Sequence, residues 1–159
     1  MSLSHIGENG RARMVDVTEK ERTLRTARAK GFIGLTEAVM EMVRAGKGPK
    51  GEILNTAKIA GIMGTKRTHE LVPLCHPLSL THVDVEFKID EERGRIEIIS
   101  EVKARAETGV EMEALTCVLI TALTIYDMLK GVDKGIELGP FYLIEKEGGK
   151  SGRYVREEV

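Results

Sequence analysis

The chain has 159 residues, of which 42% are hydrophobic and 31% charged, and its formal net charge is −1. This length suits one domain with its own core, and the balanced charge gives no field that favours nucleic acid or an acidic membrane as a partner. The two cysteines, Cys75 and Cys117, form no CxxC pattern. A disulfide scaffold is therefore not expected, and a reducing cytoplasm is the expected compartment.

The N-terminal part of the chain predicts an arm, a strand and a helix. Residues 1–13 are polar and contain glycines, so we expect a flexible arm before one domain over residues 14–159. Alternation of polar and small apolar residues over 23–35 predicts a strand. Thr36 then suits the N-cap of a helix over 37–44.

A second helix is predicted over residues 53–65, where Gly61 and Gly64 lower helix propensity but permit close packing against another element. The segment that follows contains Pro73 and Pro77. These prolines fix the backbone and prevent the helix from continuing.

Two alternating segments predict an antiparallel hairpin. Residues 83–89 alternate apolar and charged side chains, residues 95–104 do the same, and a glycine-containing turn joins them. A last strand is predicted over 136–145, where Pro140 indicates an edge or a bulge.

The longest apolar stretch predicts the central helix of the domain. No charged residue occurs from Ala114 to Tyr126, and apolar residues recur there at the spacing of a buried helix face. This run is shorter than the roughly 20 residues that a membrane span requires. Gly131 is predicted to end the helix in a left-handed conformation.

Ionisable residues crowd both ends of this helix. Glu107, Glu111 and Glu113 lie at its start, and Asp127 and Lys130 at its end. Glu113 and Asp127 should be roughly 20 Å apart, so two chains would have to complete one site if both residues are catalytic. The alternative is that the acids only cap the helix and that Asp127 and Lys130 form a weak i,i+3 pair.

The element order predicts an α+β fold. Strand, helix, helix, strand, strand, helix, strand becomes β-α-β-β-α-β when one additional helix is set aside, which is the ferredoxin-like pattern with an antiparallel sheet. One face of such a sheet is uncovered, and small subunits commonly cover it by forming oligomers.

Cys75 and His76 form the most suggestive pair outside the central helix. No second Cys/His pair stands at zinc spacing, so the sequence does not favour a metal site. The pair is either a rigid turn with a buried cysteine or a positioned histidine able to act near neutral pH.

Several lysines lie in predicted loops or at the ends of elements. Glycine-flanked lysines such as Lys50 and Lys150 let backbone amides and an ammonium group approach a phosphate. Neither matches a P-loop, and for any single lysine plain solvation is the simpler reading. Convergence of several would indicate a polyphosphate or nucleotide site.

Four uncommon motifs in order carry a family resemblance. They are Leu74-Cys-His-Pro-Leu78, Thr108-Gly-Val-Glu-Met-Glu-Ala-Leu115, Ala122-Leu-Thr-Ile-Tyr-Asp-Met128 and Gly148-Gly-Lys-Ser-Gly152. Together with shorter matches over nearly the whole chain, they resemble the molybdenum cofactor biosynthesis protein C family, cyclic pyranopterin monophosphate synthase.

The resemblance implies a lyase that converts 3′,8-cyclo-7,8-dihydroguanosine 5′-triphosphate to cyclic pyranopterin monophosphate and pyrophosphate. It also implies a homohexamer, a trimer of dimers, with sites at subunit interfaces. The reaction has no redox step, so no cofactor is expected, and the sequence leaves open whether Mg²⁺ assists.

The resemblance also implies site residues. Asp127, Lys50 and Lys130 match catalytic positions of the family, and a larger set matches substrate contacts or pocket-lining positions: Leu74, Cys75, His76, Glu111, Met112, Glu113, Arg25, Lys146 and Lys150. Leu129 stands where the family often has cysteine. Two other classes remain as alternatives, a non-enzymatic nucleotide-binding regulator and a metal-dependent phosphohydrolase.

Overall fold

A computed structural model describes residues 4–157 of the chain. Four long strands and two main helices form its framework, with three shorter elements between and after them. In chain order the elements are β1 (Thr23–Gly34), α1 (Glu37–Arg44), α2 (Leu54–Thr65), α3 (Thr68–Leu71), β2 (Leu80–Asp90), β3 (Arg95–Ala106), α4 (Glu111–Leu129), β4 (Glu137–Glu147) and β5 (Tyr154–Val155).

The strands form one antiparallel sheet in the order β2-β3-β1-β4-β5. Without β5, the order β2-β3-β1-β4 with α2 and α4 as the connecting helices is the ferredoxin-like arrangement. The predicted α+β fold class is therefore confirmed.

Strand β1 shows why one face of the sheet holds the core. Its residues alternate between the two faces, as a strand's side chains must. Ala27, Ala29 and Ile33 are fully buried beneath the helices, whereas Arg28 and Lys30 lie on the opposite face. The sheet thus has one apolar face and one charged face.

Helices α2 and α4 pack closely because α2 presents glycines at the contact. A side chain at Gly61 would collide with Thr121 and the Cys117 carbonyl of α4, and one at Gly64 would collide with Ile120. The predicted role of these glycines in close packing is confirmed.

Several predictions of detail need correction. The short elements α3 and β5 were not predicted, because four and two residues are too few to show a periodic pattern. Gly131 was wrongly predicted as left-handed, since it has no positive φ and Lys130 caps α4 in the right-handed region. Thr36 does stand at the N-cap of α1, but its side chain makes no capping hydrogen bond.

Pro140 interrupts the pairing of β4 with β1. The register shifts between Gly31 and Ile33 on β1, so that Phe141 pairs with Gly31 but Leu138 pairs with Ile33. Of the two features predicted from Pro140, an edge or a bulge, this irregularity matches the bulge.

Helix α4 is long and apolar enough to cross a membrane by length and composition alone. In the folded chain it packs against the sheet, with ten of its residues buried, including Ala114, Val118 and Ile125. Its apolar character is thus that of a core helix.

The predicted arm over residues 1–13 lies only partly within the described residues. Ile6 and Ala12 form an isolated β-bridge, and Gly7 N–H donates to the Arg11 carbonyl oxygen at 2.9 Å. That this segment is flexible stays a prediction.

Candidate active site

Lys50 and Lys130 meet at one carboxylate, that of Asp127. Lys50 Nζ donates to Asp127 Oδ2 at 2.9 Å, and Lys130 Nζ lies 2.8 Å from Asp127 Oδ1. Asp127 and Lys130 are one helical turn apart at the end of α4, which brings their side chains together. We call these three residues the lysine–aspartate cluster.

A small glycine turn brings Lys50 to this cluster. Gly48 and Gly51 exchange two backbone hydrogen bonds of 2.8 and 3.0 Å, and Gly51 has a φ of +104°. Only glycine adopts that conformation without strain. The loop between α1 and α2 therefore points Lys50 at the end of α4.

The lysine–aspartate cluster contains more positive than negative charge. Hydrogen bonds from Lys130 and Lys50 hold the pKa of Asp127 at about 2, well below its usual range, and Asp127 in turn raises the pKa of Lys130. The cluster joins two lysine side chains to one aspartate, all about half exposed, so its formal net charge is positive. A net positive, accessible group of this kind suits an anionic ligand such as a phosphate.

A different cluster occupies the start of α4. Glu113 lies in the first turn of the helix and is only 3% exposed, and Cys75 Sγ donates to its Oε1 at 3.6 Å. Burial is the main cause that raises the pKa of Glu113. Its second oxygen, Oε2, is buried without a hydrogen-bond partner within residues 4–157.

Cys75 is not poised as a nucleophile. Burial and the neighbouring Glu113 raise the pKa of the thiol to about 11, so the sulfur keeps its proton at neutral pH. A reactive cysteine requires the opposite shift.

His76 is fixed by the N-terminal segment. Its Nε2 lies 2.6 Å from the Val15 carbonyl oxygen. This contact is the kind that fixes ring orientation and leaves Nδ1 as the other polar atom.

Arg25 is buried between two loops. Its Nε donates to the Ala106 carbonyl oxygen at 3.2 Å and its Nη2 to the Glu107 carbonyl oxygen at 3.1 Å. Gly148 and Gly149 pack against the same side chain. A Cβ at Gly149 would collide with the Arg25 guanidinium, and one at Gly148 would collide with the Leu24 carbonyl oxygen and press on Arg25. Arg25 therefore connects the loop that begins α4 with the loop that follows β4.

The remaining predicted residues surround these clusters. Lys146 Nζ contacts the Ser151 hydroxyl, and Lys150 lies exposed in the glycine-rich loop. Leu74 and Glu111 are half-buried, and Met112 is exposed on the first turn of α4.

The structure thus gathers the predicted residues at separate ends of α4. Asp127, Lys50 and Lys130 are together at one end, and Cys75 and Glu113 at the other. Sequence reasoning missed the Val15 contact with His76, because a backbone carbonyl leaves no trace in side-chain patterns. It also missed Ser151, although the glycine-rich segment around it was a signal.

Metal-ligating side chains are not grouped in the part of the chain that the structure describes. Across residues 4–157, no three His, Cys, Asp or Glu side chains lie close enough together to hold a metal ion. The lysine–aspartate cluster and the buried carboxylate instead define the class: a ferredoxin-like protein whose polar site is built from acids, ammonium groups and a thiol.

Comparison with known proteins identifies the family. The MoaC family model matches residues 14–149. The chain is 53% identical over 156 residues to a cyclic pyranopterin monophosphate synthase of Heliobacterium modesticaldum, with 98% of both chains covered. It is 49% identical to the protein of that name from Peptoclostridium acidaminophilum over the whole of both chains, 159 residues. It is 51% identical over 154 residues to the one from Pelotomaculum thermopropionicum, covering 97% of this chain and 91% of the relative.

This chain belongs to the MoaC family. The resemblance inferred from the four sequence motifs is confirmed.

Proposed function

We propose that this chain is a cyclic pyranopterin monophosphate synthase of molybdenum cofactor biosynthesis. Relatives of that name are about half identical to it over nearly their full length. The structural observation that carries the proposal is the meeting of Lys50 and Lys130 on Asp127, which brings together residues from two distant parts of the chain.

The proposed reaction is that of a phosphorus–oxygen lyase. It takes 3′,8-cyclo-7,8-dihydroguanosine 5′-triphosphate, opens its imidazole portion, closes a pyran ring and forms a cyclic phosphate. In the last step a sugar hydroxyl attacks the α-phosphorus, the bond to the leaving pyrophosphate breaks, and the hydroxyl proton passes to a base. Positioned acids, bases and cations are sufficient in kind for these steps.

The lysine–aspartate cluster fits the phosphate end of this substrate. Lys130 keeps its proton because Asp127 raises its pKa, so we assign it to neutralising phosphate charge or to donating a proton, not to acting as a base in the free enzyme. Lys50 is assigned to the same work. Lys146 and Lys150 would bind the outer phosphates.

The start of α4 fits the base end of the substrate. A carboxylate accepts hydrogen bonds from guanine-like N–H groups, and we assign Glu113 to this contact, with Leu74, His76 and Met112 beside it. The family resemblance places Arg25 among the residues that line the pocket. Since its Nε and Nη2 already bind two carbonyl oxygens, we assign it to holding the two neighbouring loops in place.

In a single chain, the residues assigned to the phosphate end and those assigned to the base end of the substrate lie at opposite ends of α4. We therefore propose that a second copy completes each site. Leu119 and Leu123 are 45% and 53% exposed and lie on the same helical face as Met112 and Asp127. We call these two leucines and Met112 the apolar stripe of α4. An antiparallel copy of α4 docked on the stripe would bury it and bring Glu113 of one chain near Asp127 of the other.

Three such pairs would form the homohexamer, a trimer of dimers, that we propose for this chain in the cytoplasm. The geometry of the pair requires a twofold axis near Ile120, since that residue is midway between Glu113 and Asp127. A twofold axis repeats every contact, so each pair would contain two equivalent sites.

Turnover by the purified protein tests the proposed function. The assay follows pyrophosphate and pyranopterin released from the cyclic dihydroguanosine triphosphate, with Asp127→Ala and Lys50→Ala as variants and Glu92→Gln, an exposed carboxylate in the β2–β3 turn, as control. We expect product from wild type and the control and a large loss in both variants. Tight binding without turnover by wild type would instead place the chain among regulators, and full activity of Lys50→Ala would contradict its assigned role.

A further inference from the structure

Cys75 approaches Glu113 from a separate and rigid segment. Its backbone N–H donates to the Val72 carbonyl oxygen at 3.1 Å, and prolines stand on both sides, at positions 73 and 77. A short turn restricted by proline holds its Cβ in one place. The thiol is therefore presented to the first turn of α4 in a fixed direction.

The thiol is a donor in this contact. Its sulfur lies 3.6 Å from Glu113 Oε1, and burial together with Glu113 raises the pKa of Cys75 to about 11. A protonated thiol is a weak hydrogen-bond donor, whereas a carboxylate can only accept. The sulfur also lies 3.8 Å from the His76 carbonyl oxygen. The Glu113 carboxylate is the nearer acceptor, so we assign the thiol proton to that contact.

The buried carboxylate of Glu113 depends on its hydrogen-bond donors for stabilisation. The side chain is 3% exposed and its Oε2 is buried without a hydrogen-bond partner in residues 4–157. Burial and the nearby Glu111 raise the pKa of Glu113, while its own backbone N–H, the Cys75 thiol and the charge of His69 from α3 lower it. Loss of any one donor would thus leave a buried carboxylate less compensated.

We propose that Cys75 is a positioning residue: its thiol orients the Glu113 carboxylate and favours the ionised form of that side chain at the start of α4. It acts on the substrate through Glu113 and forms no covalent bond with it. The proposal rests on the proposed function only for the contact between Glu113 and the substrate.

A carboxyl titration of the free protein tests this without any substrate. The ¹³C signal of the Glu113 carboxyl is followed by NMR against pH in wild type, Cys75→Ala, Cys75→Val and Cys75→Ser, with Cys117→Ala as the control that removes the other thiol. The two donor-free variants are expected to raise the titration midpoint by about half to one pH unit, the effect of one weak donor to a charged acceptor. Cys75→Ser keeps a donor and should leave the midpoint near that of wild type or below it.

Kinetics separate positioning from covalent catalysis. If Cys75 positions Glu113, Cys75→Ser retains most of kcat, and the acid limb of the kcat/KM profile in Cys75→Ala moves to higher pH by the same amount as the NMR midpoint. A midpoint unchanged in both donor-free variants would overturn the proposal, and so would a Cys75→Ser enzyme with normal titration but no turnover. Because the titration uses free protein, failure of the proposed function would show in the turnover of wild type and leave the NMR result standing.

Discussion

Lys50 and Asp127 are 77 residues apart in the chain, yet Lys50 Nζ lies 2.9 Å from Asp127 Oδ2. The contact joins the glycine turn before α2 to the last turn of α4. It also places a second ammonium group beside the Asp127–Lys130 pair, so the cluster has a net positive charge. The i,i+3 pair of Asp127 and Lys130 alone would have had no net charge.

Substitution of Asp127 by asparagine should change both the rate and its pH dependence. Asp127→Asn keeps the shape but removes the charge that raises the pKa of Lys130. We expect kcat to fall by about 10²- to 10⁴-fold, the usual range for an acid–base group. The basic limb of the kcat/KM profile should move to lower pH, which a pH–rate series measures. Glu92→Gln is the matched control. If the basic limb of Asp127→Asn stays at the wild-type pH, that limb does not report the ionisation of Lys130.

The same carboxylate should make a small contribution to stability that depends on pH. Its folded-state pKa of about 2 lies below the ordinary value of 3.8, so the contribution is present above about pH 4 and is lost as pH falls toward 2. Urea unfolding of wild type and Asp127→Asn at pH 5 and pH 2.5 measures it. The difference in unfolding free energy should shrink at the lower pH, and it should be modest throughout because the group is solvent-exposed. A difference that grew on acidification would contradict the assigned direction.

Arg25→Lys should destabilise the protein although the charge is kept. Lysine cannot reproduce the planar fork that donates to the carbonyl oxygens of Ala106 and Glu107. We expect a loss of about 2–3 kcal/mol in the free energy of unfolding, measured by urea denaturation. Arg22→Lys is the control, since Arg22 contacts the Glu107 carboxylate from an exposed position. Equal small losses in both variants would mean that the buried fork contributes little.

Patterns within elements predicted the framework well, and contacts between elements were harder to predict. Alternation in β1–β3 and the apolar run of α4 reflect burial on one face, which leaves a periodic signal in the sequence. The position of Lys50 beside Asp127 depends on the glycine turn and on how α2 packs against α4. Neither property has a local pattern, and only the family resemblance implied that the two residues share a site.

The error at Gly131 and the changed interpretation of Arg25 have related causes. Glycine after a helix is often left-handed, but here the backbone turns without a positive φ, and the Val132 N–H donates to the Leu129 carbonyl oxygen at 2.9 Å. The family resemblance implied that Arg25 lines the pocket. Its burial against carbonyl oxygens depends on tertiary packing that the sequence does not display.

Gly61→Ala should destabilise the protein, although alanine is the better helix former. The new methyl group would meet Thr121 and the Cys117 carbonyl oxygen at the contact between α2 and α4, so overpacking of about 1–3 kcal/mol should exceed the gain in helix propensity of up to about 1 kcal/mol. Thermal unfolding of Gly61→Ala and of the control Gly131→Ala measures this. A Cβ at Gly131 would meet no other atom within 4 Å, and Gly131 has no positive φ, so its variant should unfold at or slightly above the wild-type temperature. A Gly61→Ala protein as stable as the control would mean that the helices separate at little cost.

Mixing two inactive variants tests whether each site is shared between chains. Asp127→Ala removes the lysine–aspartate cluster, and Glu113→Ala removes the buried carboxylate at the other end of α4. If the two ends of each site come from different chains, a mixed pair has one site with both residues intact and one site with neither. Unfolding and refolding an equal mixture should therefore restore about a quarter of wild-type activity, since half of the random pairs are mixed.

The control for this experiment is a mixture in which the apolar stripe is also changed. Leu123→Glu places a charge at an exposed position of the stripe and should prevent pairing, because burying an unpaired carboxylate is costly. Added to both inactive variants, it should abolish the recovery and shift the protein to smaller species in sedimentation. No recovery in the first mixture, with oligomers intact, would show that both ends of the site come from one chain. The roughly 20 Å between them would then require a large change in the position of α4 or a substrate bound at one end alone.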